Sequence, residues 1–338
     1  MSALDMAVDP TSTISRRAGA RPLVVCLVGP TASGKTDVAV RLAAQFPCEI
    51  ISVDSAMVYR YMDIGTAKPG PDVLTIAPHH LIDIRNPWEA YSAGQFCQDA
   101  RPLIDDIHRR RRIPLLVGGT FLYFRALQHG LAPLPSADPA LRAELDRRAA
   151  TEGWPALHAH LAQLDPAAAA RIRPTDRQRL QRALEVITLT GERLSALHRV
   201  DGDTPSCDFL RVALVPSDRS GLHRRIETRF AAMIDAGFID EVERLRAMPE
   251  MSATCPAVRA IGYRQIWDFL DGETSRAEAG RTAVVATRRL AKRQLTWLRG
   301  DPGALEFDCQ LPQLAERVIE RVGPRLVDAA ASLPGDMM

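Results

Sequence analysis

A short glycine-rich run near the amino terminus carries the residue types that bind phosphate. It consists of Gly29, Pro30, Thr31, Ala32, Ser33, Gly34, Lys35 and Thr36, which fit the pattern G-x-x-x-x-G-K-[ST]. The glycines allow backbone N–H groups to converge on phosphate oxygens, aided by the positive end of the following helix. Lys35 supplies a point charge, and the Thr36 hydroxyl can ligate Mg²⁺. The sequence therefore predicts a diphosphate or triphosphate site, but not the reaction that the phosphate serves.

A carboxylate follows the next β-rich run of the chain. Asp54 comes directly after residues 49–53, which include three β-branched side chains. Ligands of α/β sheets bind at the carboxyl ends of strands, so Asp54 is placed to accept a proton or hold a metal. The residue alone also allows a helix N-cap, which is a frequent role of aspartate.

The elements that must position these residues alternate between strands and helices. Short apolar runs predict strands at 22–28, 49–53, 80–84, 113–117 and 209–215. Helical spacing of apolar residues separates them, and further helices are predicted at 222–245, 262–270 and 283–298. This alternation indicates an α/β fold with a P-loop NTPase-like parallel sheet core.

The pattern changes between residues 128 and 200, where strand signals vanish and alanine, arginine and leucine recur at helical periods. We therefore expect an all-helical insertion domain at 128–200. It would interrupt a core with C-terminal helices at 21–127 and 201–315. Residues 1–20 are expected to form a mobile N-terminal tail, and residues 316–338 a C-terminal tail.

The composition is that of an ordinary globular protein, with a formal net charge of +2. Any RNA-binding charge must therefore be gathered locally. The six cysteines lie far apart without zinc-site spacing, which predicts buried thiols. No apolar run approaches the roughly 20 residues that span a bilayer, so we expect a cytoplasmic protein with no membrane partner. Its only lysines are Lys35, Lys68 and Lys292.

Nine blocks of sequence lie in order between residues 22 and 300. They are GPTASGKT at 29–36, ISVDSAMVY at 51–59, DIGTAKP at 63–69, HLIDI with PWEAYSAGQF at 80–96, PLLVGGTFLYFRAL at 114–127, LPSADP at 134–139, RLQRALEV at 179–186, AIGYRQIW at 260–267 and LAKRQLTWLRG at 290–300. Together they resemble the bacterial tRNA dimethylallyltransferase family. All three lysines fall inside these blocks.

The resemblance implies that the phosphate loop holds dimethylallyl diphosphate, whose diphosphate is the leaving group, with Mg²⁺ as cofactor. It implies that Lys35 and Arg229 stabilise the departing charge. Asp54 would take a proton from the 6-amino group of the adenosine just 3′ of the anticodon, in tRNAs that read codons beginning with U. Thr31 would lie near the reacting carbon. We expect a monomer.

The resemblance also implies a set of tRNA contacts, for which the helical insertion is one platform. The set comprises Asp54, Ser55, Ala56, Met57, Thr120, Arg142, Gln178, Arg179, Leu180, Gln181, Arg182, Arg259, Ala260, Ile261, Gly262, Tyr263, Arg264, Lys292, Arg293, Gln294, Leu295, Thr296, Trp297, Leu298 and Arg299. The last eight belong to a basic, aromatic-bearing helix of the kind that suits RNA backbone and loop bases.

Three other functions remain open on the residues alone. A P-loop kinase of a small metabolite would use the same loop for phosphoryl transfer. A prenyltransferase could act on free adenine nucleotides instead of tRNA. A non-catalytic RNA-binding module would leave the loop and Asp54 without a purpose. The basic helix and the insertion favour tRNA.

Overall fold

A computed structural model describes residues 21–197, 206–301 and 303–332 of the chain. The predicted tail at 1–20 and the end of the predicted C-terminal tail, 333–338, lie outside the described residues. The chain divides into two compact units. The first unit comprises the segments up to Phe121 and from Ser206 onward, and the second unit comprises the segment between them, Leu122–Pro205. The prediction had placed the insertion at 128–200.

The first unit is built on a sheet in which six described strands are all parallel, in the order β3-β2-β4-β1-β5-β6. The strands are β1 Leu23–Val28, β2 Cys48–Val53, β3 His79–His80, β4 Ile113–Gly118, β5 Asp208–Val215 and β6 Leu305–Asp308. The predicted α/β fold is confirmed. The central strands are almost continuously buried, and β1 and β4 are accordingly unbroken apolar runs, whereas β2 also contains Glu49 and Ser52.

Helices connect the strands and form the second unit. In chain order they are α1 Lys35–Gln45, α2 Pro71–Ile76, α3 Ala93–Arg109, α4 Phe121–His129, α5 Pro139–Glu152, α6 Trp154–Leu164, α7 Pro166–Ala169, α8 Arg177–Thr190, α9 Leu194–Leu197, α10 Arg219–Asp235, α11 Phe238–Arg246, α12 Tyr263–Leu270, α13 Arg276–Arg299 and α14 Leu314–Ser332. None of these helices combines the length and apolar character needed to cross a membrane.

The predicted C-terminal tail at 316–338 is wrong as far as Ser332, because α14 is part of the core. Its buried residues Val318, Val322 and Leu326 belong to the same apolar cluster as the strands of the sheet. Gly323 permits close contact there, since a Cβ at that position would lie 2.9 Å from the Phe46 ring. The segment carries no motif, but its apolar residues recur at helical spacing.

A second apolar cluster in the first unit joins the loop after β2 to the helices α11 and α12. Val58 and Met62 from the loop are fully buried with Phe238, Tyr263 and their neighbours. The aromatic rings of Phe238 and Tyr263 pack edge to face, with their centroids 4.9 Å apart. This cluster fixes the segment that leads away from Asp54.

The second unit is helical throughout the part that the structure describes. Its core consists of the buried leucines of α5, α6 and α8, including Leu145, Leu157 and Leu180. The same helix α8 carries Glu185, a carboxylate with no exposed surface, which accepts hydrogen bonds from Arg142 and Arg182. The bidentate bonds from Arg142 are 2.8 and 3.0 Å long.

Candidate active site

The phosphate loop lies between β1 and α1, as its motif predicts. Ala32 and Gly34 have positive φ angles of 63° and 82°. Residues in this left-handed backbone conformation allow successive N–H groups of a loop to form a concavity that binds anions. Among the described residues, no side chain caps the amino terminus of α1, so its first N–H groups remain to bind a ligand. Gly29 is required by packing, because a Cβ there would lie 2.9 Å from the Leu214 carbonyl oxygen.

Lys35 places its ammonium group inside this loop. The residue is partly exposed as a whole, but its Nζ donates to the carbonyl oxygens of Gly29 at 3.0 Å and Pro30 at 2.7 Å. Burial, and then the nearby charge of Arg229, lower the pKa of Lys35 to about 8, while Asp54 acts in the opposite direction. The site therefore holds a cation that an anionic ligand would stabilise.

Arg229 of α10 supplies a second cation. Burial lowers its pKa, and the charge of Asp54 opposes that shift. No side chain or carbonyl among the described residues accepts a hydrogen bond from Arg229. Arg229 also lines an open cleft of about 630 Å³, together with Arg224, Arg225 and Thr228. The structure thus brings Lys35, Arg229 and Asp54 within electrostatic reach of each other, although up to 194 residues separate them in sequence.

Asp54 follows the carboxyl end of β2 and begins a turn instead of a helix, so the N-cap alternative is wrong. Its Oδ1 accepts hydrogen bonds from the backbone N–H groups of Ala56 at 2.8 Å and Met57 at 3.2 Å. Within the described residues, Oδ2 makes no hydrogen bond. The turn orients the carboxylate while one oxygen stays available for a substrate proton.

The ends of β2 and β4 are tied together beside Asp54. The backbone N–H of Ser55 donates to Thr120 Oγ1 at 3.1 Å, and the N–H of Thr120 donates to the Val53 carbonyl at 3.3 Å. Gly118 allows this approach, because a Cβ there would lie 2.0 Å from the same Val53 oxygen. Thr120 therefore has a positioning role at this site in addition to the predicted RNA contact.

Sequence reasoning missed Glu241, which fixes the DIGTAKP segment. Its buried carboxylate accepts from the backbone N–H groups of Asp63, Ile64 and Gly65 and from the Tyr263 hydroxyl. The signal was present: Glu241 lies on the same helical face as two apolar residues of α11, Phe238 and Val242, both of which are buried. A charged residue on an apolar face is a candidate for a buried polar role.

The predicted tRNA contacts on α13 separate into two faces. Lys292, Arg293, Thr296, Trp297 and Arg299 are exposed, whereas Gln294, Leu295 and Leu298 are buried. The Trp297 ring is parallel to that of Phe121, with centroids 6.4 Å apart, and 44% of the residue is exposed. The exposed face is basic and aromatic, as an RNA contact requires.

Several predicted tRNA contact residues have side chains that are buried in apolar cores or paired with another residue of the protein. Leu180 has no exposed surface, and Tyr263 is 2% exposed, so both belong to apolar cores. With Leu295 and Leu298 they are corrected to packing residues, because a buried side chain offers RNA no surface. Arg142 is half-exposed but engaged with Glu185. Arg259 and Arg264, like Gln178 and Arg179, remain exposed.

The geometry of the remaining predicted residues is compatible with a site that opens to solvent. Ser55 is exposed, and Ala56 and Met57 are partly exposed in the turn that Asp54 begins. All six cysteines are buried thiols, as expected, and none of them forms a disulfide within the described residues. No cluster of three histidine, cysteine or acidic side chains in the described chain is suited to hold a metal ion.

Comparisons with known proteins identify the family to which the sequence is similar. The family model described as IPP transferase matches residues 57–301. A relative from Thiobacillus denitrificans, named tRNA dimethylallyltransferase, is 56% identical over 305 residues, which are 90% of this chain and 97% of the relative. One from Burkholderia ambifaria with the same name is 55% identical over 301 residues, covering 88% and 93% of the two chains.

Solved structures give the same result. A full-length tRNA isopentenylpyrophosphate transferase from Bacillus halodurans superposes with a TM-score of 0.66 at 38% identity, covering 92% of this chain and 98% of that one. A eukaryotic dimethylallyltransferase acting on tRNA gives a TM-score of 0.75 at 25% identity, covering 91% and 80%.

Proposed function

The chain belongs to the IPP transferase family, and on that premise we propose that it transfers a dimethylallyl group from dimethylallyl diphosphate to adenosine in tRNA. The acceptor is the 6-amino group of the adenosine immediately 3′ of the anticodon, in tRNAs that read codons beginning with U. Relatives that match about nine-tenths of the chain bear the name tRNA dimethylallyltransferase. The family resemblance of the sequence motifs is confirmed.

One observation carries the proposal. Two cations without an ion-pair partner in the described chain, Lys35 and Arg229, lie beside a carboxylate with one oxygen free of hydrogen bonds, Asp54. The cations suit a diphosphate, and the free oxygen suits the proton of an attacking amine. A phosphoryl-transfer site would require the same cations, but it would not explain the basic face of α13.

The chemistry follows from these groups. The C–O bond between the allylic carbon and the diphosphate breaks, and the electron pair leaves with the diphosphate. Lys35, Arg229 and the loop N–H groups stabilise that developing charge. The adenine nitrogen forms a bond to the allylic carbon and loses a proton to Asp54 Oδ2. Preorganised donors of this kind contribute about 10²- to 10³-fold each to such rates.

Mg²⁺ fits the donor set in a limited way. The Thr36 hydroxyl is exposed in the first turn of α1 and makes no hydrogen bond within the described residues. Since the described residues contain no cluster of three acidic, histidine or cysteine side chains for a metal, this hydroxyl suits an ion that is bound mainly by substrate oxygens and waters, as Mg²⁺ commonly is. When bound, Mg²⁺ would neutralise part of the diphosphate charge.

The acceptor must leave the base stack before Asp54 can reach it, because a stacked adenine amine is inaccessible. The exposed residues Lys292, Arg293 and Trp297 of α13 offer charge for the RNA backbone and a ring for loop bases. Since Lys35, Arg229 and Asp54 all come from one compact unit, a monomer would contain the complete donor site.

The test is transfer of label from dimethylallyl diphosphate to unmodified tRNA with adenosine 3′ of the anticodon, with Mg²⁺ present and ATP absent. An EDTA sample tests the metal, and free AMP serves as a competing acceptor. Label in the tRNA that is lost with EDTA and absent from AMP supports the donor, the acceptor and the ion together.

Other outcomes would replace the proposal. Label in AMP alone would indicate an enzyme of free adenine nucleotides. No label in either acceptor, with loss of the γ-phosphate from added ATP, would indicate a kinase. A tRNA in which that adenosine is replaced by guanosine is the matched control, since it should accept no label.

A further inference from the structure

The amide of Gln294 joins two segments of the active site that are far apart in sequence. Gln294 lies on α13 and is 6% exposed. Its Oε1 accepts a hydrogen bond from the Thr31 N–H at 2.9 Å, and its Nε2 donates to the Gly119 carbonyl at 2.9 Å. One side chain thus bridges the phosphate loop and the end of β4.

The surrounding backbone is shaped for this amide. A Cβ at Gly119 would lie 2.3 Å from Gln294 Nε2 and 3.3 Å from the Gly29 carbonyl oxygen, so only glycine leaves room for the bridge. The two backbone partners also require one acceptor and one donor at the end of a single side chain. Glutamine provides both, whereas an ionised glutamate provides only acceptors and methionine only a weakly accepting sulfur.

The position of Gln294 on its helix adds a second feature. Lys292, Arg293 and Trp297 on the exposed face of α13 are within three residues of it in sequence. Gln294 itself points inward, so its side chain has no surface to offer tRNA. The predicted tRNA contact at this residue is therefore corrected to an internal one.

We propose that Gln294 is a positioning residue that holds Thr31 and the phosphate loop in the conformation that binds diphosphate. The inference rests on the proposed function, because it takes the ligand of the loop to be a diphosphate. A fixed loop presents its N–H groups without reorganisation, and preorganisation of this kind increases affinity by reducing the ordering cost of binding. Gln294 acts through Thr31 and does not touch the reacting atoms.

The test uses Gln294→Met, which keeps the side-chain length and removes both hydrogen bonds, and Gln294→Glu, which keeps the acceptor and loses the donor. Pyrophosphate affinity in the presence of Mg²⁺ is measured by calorimetry, along with the KM for dimethylallyl diphosphate and the Kd for tRNA. For Gln294→Met we expect pyrophosphate affinity to fall about 3- to 30-fold, the size of one or two hydrogen bonds. The KM of the donor should rise in parallel.

The Kd for tRNA should change less than about twofold, because no RNA-facing group is altered. Gln294→Glu should weaken pyrophosphate at least as much, since its carboxylate opposes both the Gly119 carbonyl and the ligand charge. Gln95→Met is the matched control: it makes the same chemical change at a glutamine whose side chain accepts from the Ser92 N–H at the start of α3. It should leave both affinities unchanged.

A general packing defect gives a different result. Equal losses for pyrophosphate and tRNA would overturn the inference, as would wild-type pyrophosphate affinity in Gln294→Met. If neither variant folds, hydrogen exchange of the wild-type Thr31 amide decides: slow exchange without ligand supports the bridge, and rapid exchange removes it. If the wild type binds pyrophosphate but transfers no label to tRNA, the proposed function fails while the pyrophosphate comparison still tests Gln294.

Discussion

Two buried lysine ammonium groups of the first unit differ in what surrounds them. Lys35 in the phosphate loop donates to main-chain carbonyls and is close to a second cation, Arg229. Lys68, whose side chain is 3% exposed, donates to the carboxylates of Asp63 and Asp83. Lys35 therefore has no ion pair within the described chain, whereas Lys68 has two.

The polar groups near each lysine differ in the same way: those near Lys35 include an unpaired one, and those near Lys68 are hydrogen-bonded. Ser33 Oγ, in the phosphate loop, is buried and has no hydrogen-bond partner among the described residues. Glu241, near Lys68, accepts from three backbone N–H groups and a tyrosine hydroxyl. An unpaired buried polar group costs about 1–3 kcal/mol. In the phosphate loop, therefore, the described residues leave polar groups that a bound anion would complete, whereas the groups around Lys68 are satisfied within the protein.

The largest effect should come from Asp54. Its carboxylate is half satisfied, because within the described residues only Oδ1 accepts hydrogen bonds. Asp54→Ala removes the proposed base and should lower single-turnover transfer by about 10²- to 10⁴-fold. The tRNA affinity, measured by filter binding, should be largely kept. Asp72→Ala, at an exposed position in α2, is the control. A near-normal rate in Asp54→Ala would exclude the base role.

Lys35→Met tests the unsatisfied side of the comparison. Transfer should fall about 10²- to 10³-fold, because the proposed diphosphate leaving group loses one preorganised donor. The ligand-free protein should become more stable by roughly 1–3 kcal/mol, because an unpaired and desolvated charge is removed. Urea unfolding without ligand measures the second effect. A loss of stability together with a loss of activity would show that Lys35 is a structural residue, which contradicts the comparison.

Lys68→Met tests the satisfied side and should have the opposite sign on stability. It breaks two ion pairs and the hydrogen bond to the Tyr59 carbonyl. Because both carboxylates remain largely solvated, the free energy of unfolding should fall by only about 1–3 kcal/mol. Pyrophosphate affinity of the folded fraction should be kept. Unchanged stability would mean that the ion pairs around Lys68 contribute nothing net.

The smallest effect is a pH dependence of pyrophosphate binding. Since the pKa of Lys35 is lowered from 10.5 to about 8 in the ligand-free protein, its charge is lost as pH rises through that value. Affinity should fall by up to about tenfold per pH unit above 8. Calorimetry between about pH 7 and 9.5 measures this, with Lys35→Arg as a control that keeps its charge. Equal pH profiles for the two proteins would contradict the expectation.

The same titration gives a sign for stability. In the unfolded chain Lys35 keeps its proton up to about pH 10.5, the ordinary pKa of lysine, whereas in the folded chain it releases the proton near pH 8. Between these values the unfolded state binds more protons, so the Lys35 contribution makes folding more favourable as pH rises. Below about pH 8 Lys35 is charged in both states, so the folded state bears the full destabilisation from its buried charge.

Some elements followed directly from local sequence. The runs predicted at 22–28, 113–117 and 209–215 appear as β1, β4 and β5, because a buried parallel strand must be apolar along its length. The predicted strand at 80–84 was shorter, His79–His80, and β6 was not predicted. Both are edge strands that are only partly buried, so their apolar signal is weak.

The helix predicted at 222–245 is two helices, α10 and α11. Gly237 interrupts it with a φ of 93°, a conformation outside the helical region. The apolar spacing continues across the break, so periodicity alone could not locate it. The same limit applied to α14, whose spacing was visible but whose place against the sheet was not.

The sequence by itself determined the phosphate loop, the parallel α/β core and the family, because each can be recognised from short patterns of neighbouring residues with fixed spacing. Only the tertiary structure decided that Gln294 binds the Thr31 N–H across 263 positions, and that Glu241 fixes residues 63–65. It also decided that Leu180 and Tyr263 face inward. The physical reason is that such contacts depend on which helix faces pack together, and neither residue type nor local period specifies that partner.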